Sequence, residues 1–129
     1  MYFQTGDIIT ARVKSLPLFL HHGIVVVNND GTISVYHNTP MLKNSSGGGV
    51  VKEDIEEWIL SRDIIDVEQT GLSREFIEQK SYELSDRPFN LFSFNCEQYI
   101  ALLRDGRRKS PQLLFFISGI AICLLFKGK

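Results

Sequence analysis

The chain has 129 residues, of which 43% are hydrophobic and 22% are charged, and its formal net charge is −1 at pH 7. This composition is typical of a modest globular domain and excludes a disordered or low-complexity chain. The near-neutral charge argues against a nucleic-acid-binding protein, because such proteins carry a marked basic excess. Two cysteines are too few for a disulfide-stapled secreted domain and no signal peptide opens the chain, so we expect a cytoplasmic domain.

The first forty residues predict a strand followed by a β-hairpin. Residues 7–14 mix β-branched and polar residues after a Thr-Gly turn signal. Residues 18–27 are dense in aliphatic and β-branched residues, as in a buried strand. The Asn-Asn-Asp-Gly sequence at 28–31 supplies the residues that a tight hairpin turn needs, and residues 32–37 return as the partner strand.

The middle of the chain predicts a loop, a helix and a strand. Residues 44–49 form a glycine-rich loop, but no Lys-Ser/Thr pair follows it, which argues against a phosphate-binding loop. Residues 53–60 predict a short amphipathic helix, and residues 63–68 predict a strand. The apolar face of that helix consists of Ile55, Trp58 and Ile59, and we expect Trp58 to lie in the core.

A second helix is predicted from Ser73, a good N-cap, to about Leu84. Its inward-facing residues are predicted to be Phe76, Ile77 and Leu84.

The third predicted helix carries the chemistry. Asn95 is a strong N-cap, Gln98 completes a capping box three residues later, and Gly106 marks the end of the helix. Cys96 is therefore the first helical residue. The helix dipole and the free N–H groups at this position favour a thiolate over a thiol, which predicts a nucleophile. The alternative is that Cys96 is a small buried hydrophobic residue.

All three histidines of the chain lie on the predicted hairpin: His21, His22 and His37. Because side chains alternate across a strand, His21 and His22 face opposite sides, and only one of them can share a surface with Cys96. His37 on the return strand can lie close to one of the two. A cysteine at a helix N-terminus beside an oriented histidine is the arrangement used in thiol acyl transfer.

Four segments, in this order, resemble the lecithin:retinol acyltransferase-like family, which includes phospholipase A/acyltransferases. They are Thr5-Gly6-Asp7-Ile8-Ile9, His21-His22-Gly23-Ile24-Val25, Val35-Tyr36-His37-Asn38-Thr39-Pro40, and Asn90-Leu91 with Asn95-Cys96-Glu97-Gln98. The resemblance covers about residues 5–105. It implies an α+β fold of the circularly permuted, papain-like NlpC type, in which an antiparallel sheet packs against a helix with the nucleophilic cysteine at its N-terminus.

The resemblance also implies a role for each matching residue. Cys96 matches the nucleophile, His21 the general base and His37 the residue that orients the base, whereas Asn95 and Gln98 support the helix start. No cofactor and no metal ion are implied. The chain departs from the family at His22, where a Trp or Tyr is common, and at Gln98, where a His usually follows Cys-Glu.

The function implied by this resemblance is a thiol-dependent acyl hydrolase or acyltransferase that forms a thioester on a lipid or other acyl substrate. One alternative is a cysteine peptidase, isopeptidase or amidase of the same fold. Another is a non-catalytic, membrane-associated binding module. The alternative for His21 alone is an ordinary strand histidine, and the alternative for His37 alone is a residue that caps a turn.

The last part of the chain differs in character from the rest. Residues 1–105 hold all fifteen acidic residues and nine basic ones, a net charge of −6, whereas residues 106–129 hold five basic residues and no acidic one. Residues 110–126 are uncharged, near the lower length limit of a membrane-spanning helix. We therefore predict a catalytic domain at 1–106 and a membrane anchor at 107–129, in which Cys123 is idle. The alternative is a terminal helix packed on the domain.

Overall fold

The computed structural model describes residues 2–40, 48–91 and 93–105, which form five strands and three helices. The strands are β1 (Asp7–Val13), β2 (Leu16–Val27), β3 (Ile33–Thr39), β4 (Gly49–Asp54) and β5 (Arg62–Gln69). The helices are α1 (Ile55–Ile59), α2 (Arg74–Leu84) and α3 (Cys96–Asp105).

The strands form one antiparallel sheet in the order β4-β3-β2-β1-β5, which confirms the prediction of an α+β fold built on an antiparallel sheet. The central strand β2 pairs with β1 from Leu16 to Ile24, but its register with β3 runs only from Ile24 to Val27. Within residues 16–23, ladder partners therefore lie on the β1 side only. We call the other side of this stretch, which faces β3, the open edge of β2.

The two faces of the sheet bury different clusters. On one face, helices α2 and α3 pack against Ile8, Ile24 and Val26 around the fully buried Tyr99, whose hydroxyl contacts Ser81 Oγ at 2.6 Å. The opposite face is covered by α1. Its core consists of Ile9, Ala11, Val25, Val35 and Trp58, which confirms Trp58 as a core residue.

The predicted hairpin turn is present between β2 and β3. Asn28 N–H donates to the Thr32 carbonyl at 2.8 Å, and Gly31 N–H donates to the Asn28 carbonyl at 2.9 Å. Gly31 has a φ of 87°, a left-handed conformation that glycine adopts without steric cost. Asp30 accepts hydrogen bonds from both the N–H and the hydroxyl of Thr32.

Both predicted helix caps are also confirmed. Ser73 Oγ accepts a hydrogen bond from Phe76 N–H at the start of α2. At the start of α3, Gln98 N–H donates to Asn95 Oδ1 at 2.9 Å, while Asn95 N–H donates to Gln98 Oε1 at 2.6 Å. This reciprocal pair satisfies two backbone donors that a helix N-terminus otherwise leaves free.

Three local predictions were wrong. The predicted helix at 53–60 begins later, because Glu53 and Asp54 continue β4, which pairs with β3, and Asp54 is the N-cap of α1. Phe76 and Ile59 do not face inward: they are 43% and 40% exposed. The predicted inward positions Ile77 and Leu84 are buried, as expected.

The predicted tail at 107–129, including Cys123, lies outside the described residues, as does most of the glycine-rich loop. Of the helices in 2–40, 48–91 and 93–105, none is long and apolar enough to cross a membrane.

Candidate active site

The side chains of His21 and His37 meet on the α1 face of the sheet, beside the open edge of β2. His21 Nε2 lies 2.8 Å from His37 Nδ1, and the two rings pack edge to face with their centroids 5.0 Å apart. Both side chains are buried. The structure therefore brings together two of the three predicted catalytic residues.

Gly23 makes this approach possible. It occupies the same side of β2 as His21, next to β3, and a Cβ at this position would lie 2.4 Å from Val35 Cγ1 and 3.6 Å from His37 Cβ. Real Cβ atoms essentially never lie within 3.0 Å of another heavy atom, so the distance to Val35 Cγ1 excludes a side chain here. The lack of a side chain thus allows β3 to lie close against β2 just beside the histidine pair.

A carboxylate stands behind the histidine pair. His37 Nε2 lies 2.7 Å from Glu53 Oε2, so the three side chains form one hydrogen-bonded chain from β4 through β3 to β2. Glu53 was missed at the sequence level because it was read as the start of a helix. The strand that contains Glu53 pairs with β3, and no local sequence pattern predicts this pairing across residues 41–47.

Trp58 and Arg62 lie beside the histidine pair. The Trp58 ring is fully buried, 5.9 Å from the His21 centroid and 6.2 Å from the His37 centroid. The Arg62 guanidinium lies 5.0 Å from the centre of the indole and donates to the Trp58 carbonyl at 2.9 Å. Trp58 Nε1 and Arg62 Nε are buried without a hydrogen-bond partner in the described structure. Arg62 was not predicted from the sequence.

Cys96 approaches the same region from α3. Its Sγ lies 4.0 Å from the Leu20 carbonyl oxygen and interacts with the backbone N–H of His22. These groups belong to the residues on either side of His21, and they lie on the open edge of β2. Within the described part of the chain, the thiol forms no hydrogen bond to the His21 ring.

The position of Cys96 changes the conclusion drawn from side-chain alternation along β2. His22 faces α3 and contacts Thr10 Oγ1 through Nδ1 at 3.0 Å, whereas His21 lies on the α1 face near Trp58. The prediction that the two histidines face opposite sides is therefore confirmed. However, Cys96 meets β2 at its open edge rather than on a face, so it lines a cavity with His21 although α3 packs on the other face.

Burial controls the protonation of the cysteine. It raises the pKa of Cys96 from its ordinary value of 9.0 to about 11, although hydrogen bonds from backbone N–H groups act in the opposite direction. The backbone N–H groups at the helix N-terminus act in the expected direction, but desolvation outweighs them, and the resting sulfur is therefore a thiol at neutral pH.

The histidines are affected in the same way. Burial lowers the pKa of His37 to about 3, with a further contribution from the positive charge of Arg62. The pKa of His21 is also lowered well below 6.5, mainly by burial and then by His37 and Arg62. The resting site therefore holds one thiol and two neutral imidazoles near pH 7.

The segment before Cys96 is tied to the sheet. Asn38 Nδ2 donates to the carbonyls of Phe94 and Asn95, at 2.9 and 3.2 Å. Phe94 in turn exchanges two backbone hydrogen bonds of 2.8 Å with Asn90. Together with the capping box of Asn95 and Gln98, these bonds fix the position at which α3 begins and hence the position of Cys96.

The cysteine and both histidines line a cavity of about 920 Å3. Its apolar lining residues are Val13, Leu16, Phe19, Leu20, Pro40, Val51, Phe89 and Leu91. Apolar atoms make up most of the exposed surface of the cavity, which charged side chains such as Lys52, Glu57, Arg62 and Glu97 also line. A mainly apolar surface with convergent polar groups is typical of a small-molecule or acyl-chain site. Leu16, Phe19 and Leu91 are also partly exposed, so the apolar lining continues to the surface.

No group of three or more potential metal ligands is found among the described residues. The chain matches no known protein-family model, and no curated protein and no solved structure is significantly similar to it.

Proposed function

We propose that the chain is a thiol-dependent acyl hydrolase or acyltransferase that forms a thioester between Cys96 and the acyl group of a lipid or another acyl substrate. The observation that carries the proposal is the shared cavity: Cys96, His21 and His37 open into the same mostly apolar space of about 920 Å3. The four segments that resemble the lecithin:retinol acyltransferase-like family support the same function. We also propose that the sheet and α3 form a permuted papain-like arrangement.

The first half of the reaction transfers the acyl group to sulfur. The Cys96 side chain turns from the Leu20 carbonyl toward His21, whose Nδ1 accepts the thiol proton as Sγ attacks the carbonyl carbon. Catalytic hydrogen bonds often form only in the substrate complex, so the resting position of the thiol is compatible with this step. The C–S bond forms, the bond to the leaving group breaks, and His21 returns the proton to the leaving oxygen or nitrogen.

The second half regenerates the thiol. Water or another nucleophile attacks the thioester carbonyl while His21 accepts its proton, and the C–S bond breaks to give the sulfur its proton back. The backbone N–H groups of Cys96 and His22 lie beside the sulfur and stabilise the oxyanion that develops in each half. Water as the nucleophile makes the protein a hydrolase, whereas an alcohol or amine makes it an acyltransferase.

The apolar lining favours a fatty acyl chain over a peptide. A peptide substrate brings a polar amide at every residue, and each amide needs a hydrogen-bond partner once it is buried. A hydrocarbon chain needs none and gains about 0.8 kcal/mol for each buried methylene group. We therefore rank peptidase or amidase activity second.

The decisive experiment measures covalent acylation of Cys96. The full chain is incubated with a p-nitrophenyl fatty acyl ester, and its intact mass and the modified residue are determined by mass spectrometry. We expect an acyl adduct on Cys96 that is lost in Cys96→Ala, while circular dichroism shows that the variant is folded. An unmodified Cys96 in the wild type would support a non-catalytic binding module, a result that the raised pKa of the thiol would then explain.

A parallel incubation separates the two substrate classes. Phospholipid vesicles and a mixture of unstructured peptides are offered separately, and the products are identified by mass. Cleavage of peptides alone would overturn the lipid assignment.

We also propose that residues 107–129 attach a cytoplasmic domain to a membrane. The support is their sequence: an uncharged stretch at 110–126 with Arg107, Arg108 and Lys109 before it and Lys127 and Lys129 after it. The full chain should float with phosphatidylcholine vesicles in a density gradient, and an Ile117→Lys variant should stay at the bottom. Equal flotation of both would contradict this assignment.

A further inference from the structure

We propose that Glu53 is a positioning residue of this site: through His37 it holds His21 in the tautomer whose Nδ1 lone pair is free to accept the thiol proton. The inference deepens the proposed function and rests on it for its catalytic meaning. Its basis is the hydrogen-bonded chain of three side chains, with distances of 2.7 and 2.8 Å.

The direction of each hydrogen bond follows from chemistry. A glutamate carboxylate only accepts hydrogen bonds near neutral pH, so the proton between Glu53 and His37 resides on His37 Nε2. A neutral imidazole has one N–H, so His37 Nδ1 carries a lone pair and accepts from His21 Nε2. His21 is then also protonated on Nε2, and its Nδ1 carries the lone pair that base catalysis requires.

Without the carboxylate, nothing in this chain of hydrogen bonds determines which nitrogen of His21 carries the proton. The contact between His21 and His37 alone is satisfied equally well with the proton on either nitrogen. In one case His21 Nε2 donates; in the other His37 Nδ1 donates, and His21 must carry its proton on Nδ1. The second arrangement places a proton on the atom that has to accept one, and it is inactive as a base.

The fold places Glu53 for this role. In the ladder between β3 and β4, His37 pairs with Val51 and Val35 pairs with Glu53, so the glutamate is a diagonal neighbour of His37 on the same face of the sheet. His37 is 1% exposed and its carboxylate partner 34% exposed. The carboxylate thus stays in contact with water while its hydrogen bond reaches a buried ring.

Other charged or titratable groups act on the pair without hydrogen bonding to it. Arg62 of β5 lowers the pKa of both histidines, and His22 lowers that of His21. Neither dictates which ring nitrogen carries the proton. When His21 accepts the thiol proton, the imidazolium remains linked through His37 to the negative charge of Glu53, which stabilises it.

The test combines a structural and a kinetic measurement on Glu53→Ala, Glu53→Gln and the control Glu56→Ala. Glu56 is exposed on α1 and is not a lining residue of the cavity, and its substitution removes the same charge without touching His37. Nitrogen-15 NMR of the imidazole rings reports which nitrogen is protonated. The rate of Cys96 acylation by a p-nitrophenyl fatty acyl ester, measured between pH 5 and pH 9, reports the catalytic effect.

In the wild type and in Glu56→Ala, both rings should be protonated on Nε2. In Glu53→Ala, we expect a mixture of tautomers, an acylation rate at least roughly tenfold lower, and an acid limb of the pH profile displaced to lower pH. Glu53→Gln retains an acceptor oxygen, so its rate should lie between those of the wild type and Glu53→Ala.

Two failures can be told apart. If Cys96 is acylated but neither the tautomer nor the rate changes in Glu53→Ala, the acyl chemistry stands and the role of Glu53 is overturned. If the wild-type rings show the expected tautomer and lose it in Glu53→Ala while no acylation of Cys96 occurs, the structural part of the inference stands and the proposed function fails. A wild-type His21 protonated on Nδ1 would overturn the inference directly.

Discussion

The two halves of strand β2 differ in what they pair with. From Ile24 to Val27 the strand pairs with β3, and residues 24–26 are completely buried. From Leu16 to Gly23 it pairs with β1 alone, its open edge faces the Cys96 sulfur, and Leu18 is 92% exposed. One strand thus supplies both the core and the candidate site. On its β3 side, the strand has ladder partners where it lies in the core and none where it lines the candidate site.

The largest expected effect in the open half comes from His21. Replacing it with Ala removes the proposed general base and should slow acylation of Cys96 roughly a hundred- to ten-thousandfold. The adjacent His22→Ala is the matched control, since its side chain faces α3 and contacts Thr10. Rates measured by intact-mass kinetics should separate the two variants by at least an order of magnitude, and equal rates would contradict the assignment of His21.

In the closed half, the largest effect is on stability. Ile24→Ala removes a fully buried side chain and should lower the free energy of unfolding by about 2–5 kcal/mol. Leu18→Ala in the open half removes an exposed side chain and should change it by at most about 0.5 kcal/mol. Urea denaturation followed by fluorescence measures both. Similar losses in the two variants would mean that the halves of β2 do not differ as described.

The protonation of the site predicts how stability depends on pH. His21 and His37 have a lower pKa in the folded protein than their ordinary 6.5, so the unfolded chain binds more protons below that pH. Stability should therefore be complete above pH 6.5 and fall below it by up to about 1.4 kcal/mol per pH unit for each histidine. For His37 the fall should continue to about pH 3.

Cys96 has the opposite effect on the pH dependence of stability. Its pKa rises from 9.0 to about 11 on folding, so its contribution is complete below pH 9 and is lost as the pH rises toward 11. Denaturation midpoints across the pH range should show both limbs. Cys96→Ala should keep the acid limb, and its alkaline limb should begin at a higher pH, where Tyr36 and Tyr99, whose pKa values are also raised by burial, still contribute. An unchanged alkaline limb would show that the thiol is not buried in solution.

The smallest expected effect concerns the capping box. Gln98→Ala removes the acceptor of the Asn95 N–H and should cost about 1 kcal/mol of stability and a few-fold in acylation rate, because the start of α3 positions Cys96. Ser73→Ala removes the N-cap of α2 at a similar cost in stability. Its acylation rate should be that of the wild type, and a loss of rate there would mean that stability alone limits the reaction.

The sequence was informative wherever neighbouring residues decide the structure. The turn at 28–31 and the caps at Ser73 and Asn95 depend on contacts within a few residues, and all three are present. Glu53 and Arg62 could not be predicted, because their roles depend on which strands become neighbours in the sheet.

The protonation of Cys96 illustrates the same limit. Its helix position was predicted and is confirmed, but the pKa of its thiol depends on desolvation, which results from packing between α3 and the sheet. Likewise, alternation along β2 correctly separated His21 from His22 but not the route by which Cys96 approaches. That route requires an interruption of the ladder between β2 and β3.

Gly23 links the two halves of β2 in a way that matters for sequence variation. Any side chain there collides with Val35 in the core and crowds the backbone next to His37. A larger residue at position 23 therefore becomes acceptable only when position 35 becomes smaller at the same time. No single substitution of Gly23 by a residue of higher β-propensity is therefore tolerated. The same constraint, which originates in core packing, preserves the spacing of His21 and His37.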